Sequence, residues 1–271
     1  MTQTASRPTR RTLDIYRFTQ RSSLALLMTS IASAAGFLWP FFVPSQEVAR
    51  QSQIFFWIAA PLIALLLLSE LSNQNLDAKS VALLGVLAAT LAALRPLGAG
   101  AVGIEPMWFL LILSARVFGR AFGFLLGILG MLASAMLTGG FGPWLSYQLF
   151  AAGWIGLCAG GLPRKIRGRA EIALLVLFAV FASLAFGLLM DLQFWPWALG
   201  SQTQLSFEPG GPIIENLRKF IVFHFASSMA WDIPRAIFTS TLIIVTGPSV
   251  LSALRRTHHK ASFLAPIDFK K

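Results

Sequence analysis

Side chains able to do chemistry are scarce inside the apolar stretches of this chain, so the few that occur there repay inspection. The clearest set is "WDIPR", in which Asp232 and Arg235 stand three residues apart and so share one helix face. Pro234 between them removes a backbone donor and predicts a kink. Such a pair either neutralises itself while the helix bends, or opens to receive a partner or substrate. A second set gathers near the ends of apolar blocks: Arg95, Glu105 and Trp108; then Trp144, Tyr147 and Gln148 in "TGGFGPWLSYQ"; then Asp191 and Trp195 in "DLQFWPWALGSQTQLSFEPGGPIIENLRK". Aromatic and amide groups converging on a concave mouth suit an organic ligand. The rings would stack, Gln148 would hydrogen-bond, and Glu105 would take a polar or cationic group. Equally, Arg95 and Glu105 could pair with each other across their loop.

This is the chemistry of binding rather than of reaction. No GxxxxGK[ST], HExxH or GxSxG signature occurs in a fitting context. His224 is the only histidine inside a predicted span, which favours a hydrogen-bonded packing residue over a ligand. One cysteine, Cys158, leaves no intrachain disulfide and no Cys-based metal site. No catalytic residue, metal or cofactor is expected, and the chain is not expected to be an enzyme.

The elements that must position these residues are membrane helices. Of 271 residues, 56% are hydrophobic and 12% charged, and the mean hydropathy is +0.69. A soluble domain carries about 25% charged residues. The apolar blocks reach about 17 residues or more, enough to cross a hydrocarbon core of roughly 30 Å, and the short alternating segments of a barrel are missing. The fold class is an all-α polytopic membrane protein of about eight transmembrane helices, predicted over 22–43, 54–71, 80–97, 106–118, 121–138, 143–162, 170–190 and 220–245. No cleavable leader is expected, and the first block is taken as a permanent anchor.

The net charge of +11 reports orientation, not nucleic acid. Lys and Arg cluster before residue 22, around 116–120, over 164–169 and beyond 254, whereas the alternate gaps hold only Arg50, Arg95, Arg218 and Lys219. The excess predicts both termini in the cytoplasm. The chain divides into a basic tail (1–21), two N-terminal helices (22–79), a six-helix core (80–253) and a second basic tail (254–271). The connection over 191–219 falls on the outer side and is too long and aromatic for a mere linker. Trp39, Trp57 and Trp154 are taken as interfacial anchors. Small residues recur every four positions at Gly119, Gly123 and Gly127, at Gly156 and Gly160, and at Ala88/Ala92 and Ala89/Ala93. Such stripes let backbones approach in lipid. The glycines are expected to pack internally, and the alanines could equally dock another membrane subunit.

The stretch "GIEPMWFLLILSARVFGRAFGFLLGILGMLASAMLTGGFGPWLSYQLFAAGWIGLCAGGLPR" resembles the substrate-binding S component of energy-coupling factor (ECF) transporters, the actinobacterial branch most closely. The likeness follows the patterns "GFxxGxLxxLxSxxLTGGxGPW" and "QxxAxGWxGLxAGxLPR", extends over about 80–251 and is densest over 103–169. It implies a six-helix subunit of the bacterial cell membrane that captures a vitamin or related micronutrient outside. A transmembrane T component and two cytoplasmic ATPases would then tip it over and release the substrate within. It also implies docking through Ala88/Ala92 or Ala89/Ala93, and places the ligand between the loop before Pro106, the 138–148 turn, the 191–219 segment and the start of the last span. The substrate is left between cobalamin and a smaller heterocycle. A stand-alone secondary transporter would show an inverted repeat with helices broken at corresponding positions, but only the span near Pro234 is strongly interrupted. A ligand-free scaffold would lack an outer pocket. Gly139, Gly140 and Gly142 permit unusual backbone angles, and Pro143 suits the first position of a helix, so the turn is expected to form one wall of a ligand mouth.

Overall fold

The computed structural model describes residues 19–42, 78–98, 102–200 and 203–261. The predicted second span, 54–71 with Trp57, lies outside them. Every regular element among the described residues is a helix. In chain order these are α1 (Gln20–Leu38), α2 (Ala78–Leu94), α3 (Met107–Phe118), α4 (Arg120–Thr138), α5 (Trp144–Gly160), α6 (Arg169–Ala198), α7 (Ile213–Ser227) and α8 (Met229–Ala261). Short 3-10 turns extend α1 over Trp39–Phe41 and α2 over Arg95–Gly98. Among the described residues, five segments are long and apolar enough to cross a membrane: Gln20–Phe41, Ala78–Gly98, Arg120–Thr138, Arg169–Ala198 and Met229–His258. The chain is a polytopic helical membrane protein.

α3 is the central helix. Its 12 residues rise only about 18 Å, too little to span lipid. Its lining is protein instead: Met107, Leu111, Leu113, Ala115 and Phe118 are fully buried. Gly119 alone separates it from α4, so the predicted short fourth span exists as its own helix.

α4 and α5 pack through the two glycine stripes. A Cβ on Gly123 would overlap the backbone of Gly156, one on Gly127 that of Ala152, and one on Gly160 that of Gly119. The stripes are internal, as close backbone approach in lipid requires. α2 lies against α4, with Leu91 beside Gly130. Its alanines divide between two faces: Ala88 and Ala92 are buried, whereas Ala89 and Ala93 are exposed.

Two boundaries differ from the sequence expectation. α6 runs on to Ala198, so Asp191 and Trp195 stand on a helix rather than in a loop. Pro196 falls within its last turn, too late to break it. The last predicted span is two helices, α7 and α8, following one another through Ser228. That residue keeps helical angles (φ −81°, ψ −31°), and its carbonyl accepts from Trp231 and Asp232 N–H at 2.8 and 2.9 Å. α8 has 33 residues, about 50 Å long.

At the end of the bundle where α3 stops, Arg116 is buried at 5% exposure. It donates to Glu171 Oε1 at 2.8 Å and to the carbonyls of Leu162, Pro163 and Ile166 at 2.8–2.9 Å. Arg255 of α8 closes the group from the far side, 2.6 and 2.7 Å from the two Glu171 oxygens. The sequence reading assigned Arg116 to orientation alone; it is also the clamp that ties α3, the 161–168 connection, α6 and α8 together.

Candidate ligand-binding site

At the opposite end, the loop before α3 delivers Glu105 against the first turns of α8. Glu105 Oε2 accepts from Trp108 Nε1 at 2.7 Å and from Arg235 Nε at 2.9 Å. Arg235 Nη1 donates to Asp232 Oδ1 at 2.6 Å and to Ser183 O at 3.3 Å. Asp232, with no exposed surface, also accepts from Ser228 Oγ at 2.8 Å. The guanidinium stands 5.1 Å from the Phe186 ring centroid, and Phe186 tilts against Trp108 at 4.5 Å. One cation thus lies between two carboxylates, the pairing that a buried charge requires. Glu105 is the most open member, its side chain 26% exposed.

Two glycines permit this approach. A Cβ at position 187 on α6 would overlap the Asp232 carboxylate. Gly103 has φ +71° and lies on Trp231 O and Pro234, at the turn where the proline leaves α8 without a backbone donor. A side chain there would be both strained and crowded.

Arg95 does not pair with Glu105. Its Nη2 donates to Gln148 Oε1 at 3.2 Å, joining the end of α2 to the second turn of α5. The turn before α5 needs a left-handed residue only at Gly139 (φ +67°), which caps α4; Gly142 instead lies under the Trp144 ring. Pro143 has helical angles and sits one position ahead, as the N-cap.

The three candidates of α5 therefore separate. Gln148 joins Arg95. Trp144 is 44% exposed. Tyr147 is buried in an aromatic cluster, edge-on to Phe37 at 4.9 Å, its hydroxyl 3.4 Å from Gly36 O. Trp195 belongs to the same cluster: its Nε1 donates to Leu205 O at 2.8 Å, and Phe207 and Phe220 lie 5.5 and 5.6 Å away. Asp191 holds His224 Nδ1 at 2.8 Å and Ser227 Oγ at 3.3 Å. Consecutive serines at the α7–α8 joint are thus held by two carboxylates, Asp191 and Asp232. His224 is a hydrogen-bonded packing residue, stacked on Phe220.

The structure brings Glu105, Trp108, Asp232 and Arg235 into one network, and sets Arg95–Gln148, Asp191 and the Tyr147–Trp195 cluster on the same end of the helices. Sequence reasoning missed Ser228, Phe186, Gly187 and the contribution of α1. Trp39 and Trp154, taken as interfacial anchors, serve inside the protein: Trp39 is 4% exposed, and Trp154 Nε1 donates to Ser30 Oγ at 3.1 Å. A usable signal for Gly187 was its place one helical turn before Asp191. Nothing in the pattern marked α1.

Comparison with known proteins agrees with this architecture. Residues 75–206 match the family model described as "ECF-type riboflavin transporter, S component". No curated protein and no solved structure matches the chain. The match runs from the start of α2 through α6, the helices that carry Arg95, Glu105, Trp108, Gln148, Asp191 and Trp195. Over residues 75–206 the chain is similar to the S components of ECF transporters, which are membrane transport subunits, and its long apolar helices suit that likeness.

Proposed function

We propose that this chain captures a vitamin-sized flat heterocycle at the outer face of a bacterial cell membrane, with riboflavin, the substrate in the matched family's name, as first candidate ahead of cobalamin. The observation that carries the reading is the Glu105–Trp108–Arg235–Asp232 centre. It draws a loop and two helix starts, 130 residues apart in sequence between Glu105 and Arg235, to one end of the bundle and leaves Glu105 partly open. A carboxylate held by an arginine and an indole can exchange a partner for a ligand donor, while neighbouring rings supply stacking area. The concentration of Lys and Arg at the other end supports a cytoplasmic placement for that end and for both termini, which puts the mouth outside.

Energy would come from partners, a T component and two ATPases. The exposed Ala89 and Ala93 face of α2 is the proposed docking stripe, whereas Ala88 and Ala92 are spent on packing within the chain. On this reading, 80–253 is the transport core and 22–79 an addition to it. Titration of the purified protein with riboflavin, alongside a vitamin panel containing cobalamin, tests the proposal. Riboflavin should bind with micromolar or better affinity; if no member of the panel does, capture is not its function. Ala89→Leu with Ala93→Leu should abolish co-purification with the T component and leave riboflavin binding intact.

A further inference from the structure

The clamp around Arg116 holds in place a connection that carries exposed cations. Exposure alternates along it: Arg164 and Ile166 are half-buried, whereas Lys165 and Arg167 are exposed. Arg169, the first residue of α6, is exposed as well. Arg116 fixes this segment by its backbone, through the carbonyls of Leu162, Pro163 and Ile166. Arg120, also exposed, leans on it from the start of α4, its Nε 2.9 Å from where a Cβ on Gly161 would stand. Acids are scarce at this end. Glu171 is the one acid in the sequence between Glu105 and Asp191, and it is buried and taken by Arg116 and Arg255. Lys165, Arg167 and Arg169 make no ion pair among the described residues.

Membrane orientation asks only that cations lie on one side; it does not ask that their backbone be held. A second observation lies alongside. After Arg169, α6 presents Ala173, Leu177 and Phe181 at successive four-residue steps, on one helix face. All three are exposed, Leu177 at 69% and Phe181 at 62%. From Arg169 to Phe181 the stripe rises about 18 Å. Cations at one end of an apolar track complement a molecule with an anionic head and a hydrocarbon tail. An acidic protein segment would match only the cations.

We propose that this surface docks an anionic phospholipid, its phosphate held by Lys165, Arg167 and Arg169 and one acyl chain lying along Ala173, Leu177 and Phe181. A guanidinium meets a phosphate through two parallel N–H···O bonds, and each cation beside an anionic lipid surface is worth about fivefold in affinity. Because the clamp has already ordered the backbone, little conformational freedom is lost on binding. The inference is independent of what the chain captures at its opposite end.

The test uses the full chain in detergent with phosphatidylglycerol as probe, binding being read by native mass spectrometry and by the rise in melting temperature. Phosphatidylglycerol should bind about tenfold or more tightly than phosphatidylcholine with the same acyl chains. Lys165→Gln with Arg167→Gln should cut that preference about tenfold and leave the lipid-free melting temperature unchanged. Arg218→Gln, which removes an exposed cation at the other end, should leave the preference intact. Equal binding of the two lipids overturns the proposal, and so does a loss in Arg218→Gln as large as that in the double variant. Glycerol phosphate, the headgroup without its chains, should not compete at the same concentration; if it does, the site takes a free anion and the lipid is rejected. Tighter binding of a polyglutamate peptide than of phosphatidylglycerol rejects it too, in favour of an acidic protein partner.

Discussion

The two ends of the bundle carry mirror-image charge networks. At one, a carboxylate, Glu171, lies between two arginines, Arg116 and Arg255. At the other, an arginine, Arg235, lies between two carboxylates, Glu105 and Asp232. They differ in closure. Arg116 and Glu171 are each 2% exposed in their side chains, and Arg116 satisfies three backbone carbonyls of a connection that has no regular structure. Its donors are committed to holding chain segments together. The Arg235 network is bonded mostly to side chains, and one of them, Glu105, reaches the surface at 26%. A group bonded to fixed backbone makes a clamp; one bonded to a partly open side chain can exchange that partner.

That contrast can be broken at four points. Arg116→Ala should do most damage, because it leaves three carbonyls without their donor and the buried Glu171 with Arg255 as its one remaining cation. The expected loss is about 3–5 kcal/mol, read as a fall in melting temperature in detergent, and a fall of only a degree or two would show that the clamp is ornamental. Gly187→Val comes next: its side chain must displace Asp232, costing about 1–3 kcal/mol as overpacking, and riboflavin binding should weaken with it. Glu105→Gln should separate the two properties. Riboflavin affinity should drop about tenfold, while stability changes by about 1 kcal/mol or less because the amide still accepts from Trp108. Equal losses at Glu105 and Arg116 would erase the distinction. Trp144→Ala should be the mildest, within about 0.5 kcal/mol in stability, since that ring is 44% exposed.

What the sequence revealed follows the range of the interactions. Helices were legible because a hydrocarbon core demands long apolar runs, and Asp232 with Arg235 because helical spacing alone places them together. The glycine stripes declared the α4–α5 contact for the same local reason. Partners across the chain were not legible. Glu105 had a plausible mate in the nearby Arg95 and took Arg235 instead, since Gly103 seats its loop on α8. Arg116 was concealed by a rule that accounts for any arginine at a helix end. A better clue was Glu171, a lone acid within a markedly basic boundary. Trp39 was concealed likewise, because tryptophan near a membrane surface already has an explanation.

α8 joins the two networks. Twenty residues separate Arg235 from Arg255, a rise of about 30 Å, which is about the thickness of the hydrocarbon core. The helix is therefore a strut tied at both ends of the bundle, Arg235 to Glu105 and Asp232 and Arg255 to Glu171. Because one continuous helix carries both arginines, displacing either network along the helix axis loads the other.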